Sequence, residues 1–278
     1  MSKFTRCIWS PGMVVVWTIV AAVLGYYVAT FLVVKPTIGI IKVKDSIDVQ
    51  QMGDFARMVR YADENRHIKA VVVEIDSPGG GAPVVEDMYL NLLALRQNKP
   101  IVAAVDRFAL SGGYYVAIGA NEIFAKPSSF IGSVGVWMYL PSAEPPQEDL
   151  LSSGPLKLEG MTPRMATAEL DMVRQAFLRA VTTERGDRLK MATEELSQGG
   201  IYVGPEALRS GLIDKLGSNR EAIAKAASLA GIKKYEVLDI NEELGIRPPF
   251  SFFIFGGKGP AVTSGLPEFF YSYNEPER

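Results

Sequence analysis

The sequence predicts an α/β domain of mostly parallel strands with crossing helices, preceded by one transmembrane helix. Three observations lead to this prediction. A long uncharged stretch lies near the N-terminus, apolar strand-like segments then alternate with amphipathic ones, and glycine-rich turns follow two of the strand-like segments. Because alternating strands and helices are typical of crossover connections, we expect parallel pairing.

The N-terminal stretch predicts a membrane anchor over residues 11–34, after a short segment of residues 1–10. No residue from Cys7 to Val34 is charged. At about 1.5 Å per residue, a helix of this length crosses a hydrocarbon core of about 30 Å. The run is too long for a cleaved secretory signal and no convincing A-x-A site closes it, so we favour an uncleaved anchor. Basic residues balance on its two sides, so charge does not give the orientation.

Residues 36–240 are predicted to form the folded domain. TIGIIKV (37–43) and KAVVVEID (69–76) are interpreted as strands, with an amphipathic helix over 49–63 between them. SPGGGAP is then a glycine-rich loop, VVEDMYLNLLALRQN a helix and KPIVAAVD (99–106) another strand. The order strand, helix, strand predicts two consecutive crossover units.

The second half of the domain continues the pattern. A helix is predicted to begin near Ser111, at the carboxyl end of strand 99–106, where open α/β sheets place their sites. EIFAK and SVGVWMYL are strands, and 141–155 is a proline-rich loop. SNREAIAKAASLAG is a helix capped by Ser218, and KKYEVLDI is the last strand. A long helix is predicted before the Ser218 helix, and one of its faces is apolar, made of Leu170, Val173, Phe177 and Val181.

Composition excludes several classes of protein. The 278 residues include 29 Lys and Arg against 31 Asp and Glu, with no basic run, so no nucleic-acid partner is predicted. The single cysteine, Cys7, excludes an intrachain disulfide. Together with the single histidine, His67, it argues against a zinc cluster, so we expect neither a metal nor a cofactor.

Ser111 is the candidate nucleophile, in ALSGGYYVAIGA (109–120). A serine before two glycines at a helix start is either a helix cap or a nucleophile beside N–H groups that hold an oxyanion. His67 lies in a polar segment before a strand and is interpreted as a loop residue, so an imidazole base is not expected. A lysine can serve instead if burial lowers its pKa from about 10.4 towards neutrality. Lys157, in a mixed apolar and glycine setting, is the candidate, although most lysines are solvated.

Five ordered segments carry a family resemblance: SPGGG, SGGYY, IGSVGV, SGPLK and YVGPEALRSGLIDKLG. Over residues 37–240 the chain resembles the signal peptide peptidase A family of membrane serine peptidases. The resemblance implies a crotonase/Clp-protease-like fold. It also implies that Ser111 is the nucleophile, Lys157 the general base, and Ser133 the residue that steadies the lysine.

The resemblance further implies an oxyanion hole formed by the N–H groups of Gly80 and Gly112. Two places depart from the family pattern. Leu110 stands where alanine is usual, and Leu158 with Glu159 follows the lysine where a short polar residue is usual. A glutamate that pointed inward would raise the pKa of the lysine.

By the same resemblance, the chain is expected to be a serine endopeptidase that hydrolyses released signal peptides or other apolar peptides through an acyl-enzyme. A single-pass membrane location, an extracytoplasmic catalytic domain and a closed homo-oligomer are also implied. The alternatives are a stomatin-type membrane peptidase, a catalytically idle membrane scaffold and a crotonase-type acyl-CoA enzyme.

Residues 241–278 are predicted to form a tail rich in proline, glycine and aromatic residues. PPFSFFIFGG (248–257) is uncharged, and GLPEFFYSY follows it. An apolar segment of this kind usually marks a contact, but it is too short to span a bilayer. The chain's own core, the membrane surface and a neighbouring protomer are the possible destinations. We favour the neighbour, because an extended apolar strand is also what a peptidase groove accepts.

Overall fold

The computed structural model describes residues 11–32, 35–138, 153, 161–246 and 269–272. The chain divides into two compact units, 1–36 and 37–278. The first unit contains helix α1 (Pro11–Leu32), on which the predicted anchor falls. Within the described residues, no helix was found with an apolar stretch long enough to cross a membrane. The anchor therefore stays a prediction.

The second unit carries the α/β fold. Its described helices are α2 (Val49–Glu64), α3 (Ala82–Arg96), α4 (Gly112–Ala117), α5 (Pro163–Arg185), α6 (Thr193–Leu196), α7 (Gly204–Arg209), α8 (Asn219–Leu229) and α9 (Ile240–Glu243). A 3₁₀ turn, Gly186–Arg188, follows α5. Its described strands are β1 (Thr37–Ile47), β2 (Ile68–Gly81), β3 (Ile101–Leu110), β4 (Glu122–Ala125), β5 (Phe130–Gly132), β6 (Trp137–Met138), β7 (Ile201–Val203), β8 (Lys215–Leu216), β9 (Glu236–Asp239) and β10 (Phe269–Ser272).

These strands form one sheet that is mostly parallel, as the sequence predicts. Six parallel strands run in the order β9-β1-β2-β3-β4-β8. At the carboxyl ends of the central strands the neighbours change. There β5 pairs with the end of β3, and β10 pairs antiparallel with the end of β2. A parallel α/β sheet places its functional groups at such ends.

The two faces of the sheet are covered by different helices. Along β2, Val71 and Val73 face one apolar cluster and Ala70 and Val72 face the other, since side chains alternate along a strand. The larger cluster includes buried residues of α2, α3 and α5. The smaller one is closed by the alanines of α8. Helices on both faces of a central sheet give the three-layer α/β arrangement.

Several element boundaries agree closely with the sequence prediction. Helix α2 ends one residue later than predicted, at Glu64. On α5, Phe177 and Val181 are buried as the apolar face requires. Helix α8 begins after Ser218, which forms a reciprocal capping box with Glu221.

The prediction for the glycine-rich segment is wrong, and the described part of the C-terminal segment packs within its own chain. SPGGG is not a loop, because β2 continues through it to Gly81, and Gly79 and Gly80 still pair with β1 after a register shift. The folded body also extends past residue 240, since Leu244 and Ile246 pack against the larger core cluster. Part of the predicted tail, Phe269–Ser272, pairs with the sheet of its own chain rather than lying free for a neighbour. Residues 248–257 lie outside the described residues.

Candidate active site

Ser111 occupies the turn between strand β3 and helix α4. Its N–H donates to the carbonyl of Gly132 at 2.8 Å, and its own carbonyl accepts from the N–H of Tyr115 at 2.9 Å. The serine is 1% exposed. These bonds fix its backbone from both sides, so the strand and the helix together determine where the hydroxyl lies.

The backbone of Ser111 is strained. Its φ of 50° and ψ of −114° lie outside the regions that L-residues normally occupy. Although it precedes the first residue of α4, its side chain makes no capping hydrogen bond. The helix-cap interpretation is therefore wrong, because a capping serine has extended backbone and bonds an N–H of the first turn. A serine on a sharp, strained strand-to-helix turn is the arrangement that presents the nucleophile in α/β-hydrolases.

The segment around Ser133 lies directly beside this turn. Leu110 pairs with Gly132, and the Ser111 Oγ lies 3.4 Å from the carbonyl oxygen of Gly135, to which it donates. Ser133 itself has a φ of 53° and donates its N–H to the carbonyl of Gly200 at 2.7 Å. The structure thus places Ser133 beside the Ser111 turn and holds it in a second strained conformation.

Gly80 lies in the last part of β2, packed against β1. A Cβ atom on this residue would lie 1.9 Å from the carbonyl oxygen of Ile47, so only glycine fits. Ser77 fixes the start of this segment. Its Oγ donates to the carbonyl of Asp45 at 2.6 Å and accepts from the N–H of Gly79 at 3.1 Å. Sequence reasoning missed the role of Ser77, although the SPGGG motif contains it.

The glycine segment of β2 and the Ser111 turn meet through two contacts. Ser77 pairs with Ala109 across β2 and β3. A Cβ atom on Gly113 would lie 2.6 Å from the Ser77 carbonyl oxygen. Gly112 is the first residue of α4, and the first N–H groups of a helix have no acceptor within it. Ser111, Gly112, Ser133 and Gly80 therefore lie in one region, at the carboxyl end of the sheet.

An ion pair borders this region. Arg107 donates to Asp76 Oδ2 through Nε at 2.8 Å and through Nη2 at 2.7 Å. Hydrogen bonding to Asp76, followed by its negative charge, raises the pKa of Arg107. The β2–β3 register shifts between Ile75 and Ser77, so the pair marks an irregularity of the kind that often lies beside active sites.

The two tyrosines of SGGYY belong to the core. Tyr114 is fully buried and donates to the carbonyl of Leu212 at 2.8 Å, while Tyr115 stacks on Phe177 at 4.5 Å. Burial raises the pKa of Tyr114 well above its ordinary value and that of Tyr115 to about 12. Neither phenol is therefore ionised near neutral pH, so neither is a candidate base.

The two other candidate bases fall in different places. His67 is exposed, in the turn that precedes β2. Because Ser111 lies beyond the far end of β3, the length of the parallel strands places them roughly 30 Å apart. This confirms His67 as a loop residue. Lys157 lies outside the described residues. Among the described residues, no group of three His, Cys, Asp or Glu side chains could hold a metal ion.

Comparison with known sequences gives matches over most of the domain. Residues 94–145 and 158–233 match peptidase family S49. A putative protease of Synechocystis sp. is 32% identical over 195 residues, which cover 65% of this chain and 70% of the relative. Protease 4 of Salmonella typhi is 31% identical over 196 residues, covering 66% of this chain. The chain spans about a third of that relative, since the match covers 32% of its length.

Comparison with solved structures supports the fold. A membrane-bound stomatin-specific protease superposes with a TM-score of 0.51, covering 75% of this chain and 95% of that one, at 17% sequence identity. At this identity the likeness concerns the fold alone. The family match, the Synechocystis relative and the ordered glycine and serine motifs lead to one conclusion: the chain belongs to peptidase family S49, as its resemblance to signal peptide peptidase A indicates.

Proposed function

We propose that this chain is a serine endopeptidase that hydrolyses apolar peptides, with Ser111 as nucleophile and Lys157 as general base. One observation carries the proposal. Ser111 is held in a strained strand-to-helix turn, and its side chain does not serve the helix. Strain of this kind costs about 1–3 kcal/mol and persists where the surrounding structure enforces it, which is typical of functional sites.

The proposed reaction passes through an acyl-enzyme. Neutral Lys157 accepts the Ser111 proton as Oγ attacks the substrate carbonyl carbon. The N–H groups of Gly80 and Gly112 hold the oxyanion, and the Lys157 ammonium then protonates the leaving amine. Water, deprotonated by the same lysine, then attacks the acyl carbon, and the Ser111 Oγ leaves and takes the proton back from the lysine ammonium. Ser133 is proposed to steady Lys157, which agrees with its position beside Ser111.

Two negative findings about other groups support a lysine base. His67 lies at the opposite end of the sheet, and burial keeps Tyr114 and Tyr115 protonated. A Ser-Lys pair avoids the need for an imidazole. The family resemblance alone assigns the role to Lys157.

The test is hydrolysis of a fluorogenic apolar peptide by the full chain. We expect Ser111→Ala and Lys157→Ala each to lower kcat by at least about 10³-fold, with unchanged circular dichroism and melting. The double variant should be no slower than either single variant, because residues that act as a unit are not additive. Ser228→Ala, on the exposed face of α8, is the matched control. An inactive wild-type chain would favour the idle scaffold, and an active Lys157→Ala variant would require another base.

Released signal peptides and other apolar peptides are the proposed substrates, and residues 11–34 are the proposed anchor of an extracytoplasmic domain. The substrates and the side of the membrane follow from the sequence resemblance, and the anchor follows from the uncharged N-terminal stretch. Alkaline carbonate extraction of cell membranes tests the anchor, and accessibility of the domain to protease in intact cells tests its side. Release of the full chain by carbonate would remove the anchor from the proposal.

A closed homo-oligomer is also proposed, as the family resemblance implies. Light scattering of the purified full chain in detergent, across micromolar concentrations, measures the mass. A monomer throughout that range would contradict the proposal.

A further inference from the structure

The C-terminal strand β10 (Phe269–Ser272) lies between two segments of the candidate active site. On one side it pairs antiparallel with the end of β2, with Phe270 opposite Gly81 and Tyr271 opposite Gly80. On the other side it pairs antiparallel with β6, with Phe270 opposite Trp137. The strand order at this level of the sheet is therefore β1-β2-β10-β6.

The position beside β2 becomes available because β3 leaves it. The last β2–β3 pair is Ser77 with Ala109, two residues before Ser111. Beyond that pair β3 turns into the Ser111 loop, while β2 continues to Gly81. The edge of β2 that β3 no longer covers is the edge that β10 occupies.

This position adjoins the nucleophile turn. Cα atoms of β10 lie within 8 Å of Cα atoms in α3 and in α4, which begins directly after Ser111. The other neighbour, β6, begins two residues after Gly135, whose carbonyl accepts from the Ser111 Oγ. The backbone of β10 thus passes between the two segments that border the serine.

We propose that the C-terminal segment Phe269–Ser272 occupies, within its own chain, the strand position of a peptide substrate and so acts as a competitive intramolecular inhibitor. This inference rests on the proposed peptidase function. An extended peptide binds a sheet edge by adding a strand, with affinity from main-chain hydrogen bonds. Here the added strand lies opposite Gly80, the proposed oxyanion donor.

The sequence of the segment suits this role. FFYSY, residues 269–273, is uncharged and rich in aromatic residues, which matches the apolar class of the proposed substrate. Because the segment is tethered, its effective concentration at the site is on the order of millimolar. A free peptide must displace it, so binding of the free peptide to the full chain is weakened.

The test measures binding separately from hydrolysis. In the Ser111→Ala background, which prevents turnover, a labelled peptide of residues 265–274 (GLPEFFYSYN) is titrated into three proteins: the full chain, a chain that lacks residues 268–278, and Tyr271→Pro. Proline removes an N–H and disfavours strand pairing, so Tyr271→Pro gives the same test if the truncated chain misfolds. Thr263→Pro, which changes the tail outside β10, is the matched control, and thermal melting reports folding.

We expect the truncated chain and Tyr271→Pro to bind the peptide at least about tenfold more tightly than the full chain and Thr263→Pro. Equal affinity for all four folded proteins, or no binding to any, would overturn the inference. Hydrolysis by the same set with Ser111 restored should show a lower KM and an unchanged kcat on removal of β10. If no protein hydrolyses peptide while the binding difference persists, the proposed function fails and the strand displacement stands.

Discussion

The carbonyl oxygen of Ser77 lies 2.6 Å from the point that a Cβ atom on Gly113 would occupy. This backbone carbonyl of β2 therefore packs closely against the first turn of α4, directly after the proposed nucleophile. The same serine, through its Oγ, holds Gly79 and Asp45. Ser77 thus couples the glycine segment of β2 to the serine turn, and the geometry of one depends on the geometry of the other.

The first prediction concerns this contact. Gly113→Ala should displace the α4 start from Ser77 and lower kcat by about 10²-fold, because small misplacements of reacting groups have effects of that size. The comparison is Gly53→Ala, at an exposed helical site with open space, which should leave kcat unchanged and stabilise the fold by about 0.5–1 kcal/mol. Steady-state kinetics and urea unfolding measure both. Equal kcat in the two variants would show that the contact does not position the serine.

Removing the Ser77 hydroxyl should also slow the reaction. Ser77→Ala leaves the Gly79 N–H and the Asp45 carbonyl without this partner, which costs about 1–3 kcal/mol of stability for a buried group. Since the oxyanion segment loosens, we expect kcat to fall about tenfold with little change in KM. Ser77→Thr keeps the hydroxyl and should recover part of kcat. A rise in KM at constant kcat would indicate a role in substrate binding instead.

The pH dependence of hydrolysis should report one base. Only neutral Lys157 accepts the proton from Ser111, so kcat/KM should rise with pH through a single ionisation and then level off. Tyr114 cannot supply this ionisation, because burial raises its pKa far above neutrality. Rate measurements from about pH 6 to pH 10 test this point, with Lys157→Ala as the control. A flat wild-type profile would contradict the lysine base.

A buried ion pair away from the site sets the acid stability of the fold. Arg185 is 2% exposed and donates to both Asp214 oxygens, at 2.8 and 2.9 Å. Burial alone would raise the pKa of Asp214, but hydrogen bonds from Arg185 and from the Ile123 N–H, with the arginine charge, hold that pKa below its ordinary value. The stabilisation is present above the unfolded pKa of about 3.9 and is lost as pH falls through the folded pKa.

Asp214→Asn should therefore lower the free energy of unfolding at pH 7 by about 3–5 kcal/mol, because it leaves Arg185 charged and buried. The difference from the wild type should shrink below about pH 4, as the wild type loses its own contribution. Urea unfolding at both pH values measures this. Asp171→Asn, at an exposed pair with Arg174, serves as the control and should change little. A difference that is independent of pH would exclude ionisation of Asp214 as its cause.

The sequence by itself predicted the order of the elements from β1 to β4, the helices α5 and α8, the strand β9 and the position of the candidate serine, but it missed the short strands β5, β7 and β8. The bounds of α2 and the Ser218 start of α8 followed from apolar periodicity and capping residues. These signals are local, because each depends on residues within one or two turns of chain. The five ordered motifs likewise led to the family, since they need only their order along the chain.

Only the tertiary structure decided what the glycine-rich and C-terminal segments do. SPGGG has poor strand propensity, yet it forms the end of β2 and pairs with β1. The pairing brings the Ile47 backbone so close to Gly80 that no side chain would fit there. Ser111 has the sequence pattern of a helix cap, but in the structure its N–H donates to the distant Gly132 carbonyl and its φ is 50°. Phe269–Ser272 becomes a strand because β3 leaves the β2 edge beside Gly80 uncovered. Each outcome depends on contacts between backbone groups that are distant in sequence, and local sequence patterns do not predict such contacts.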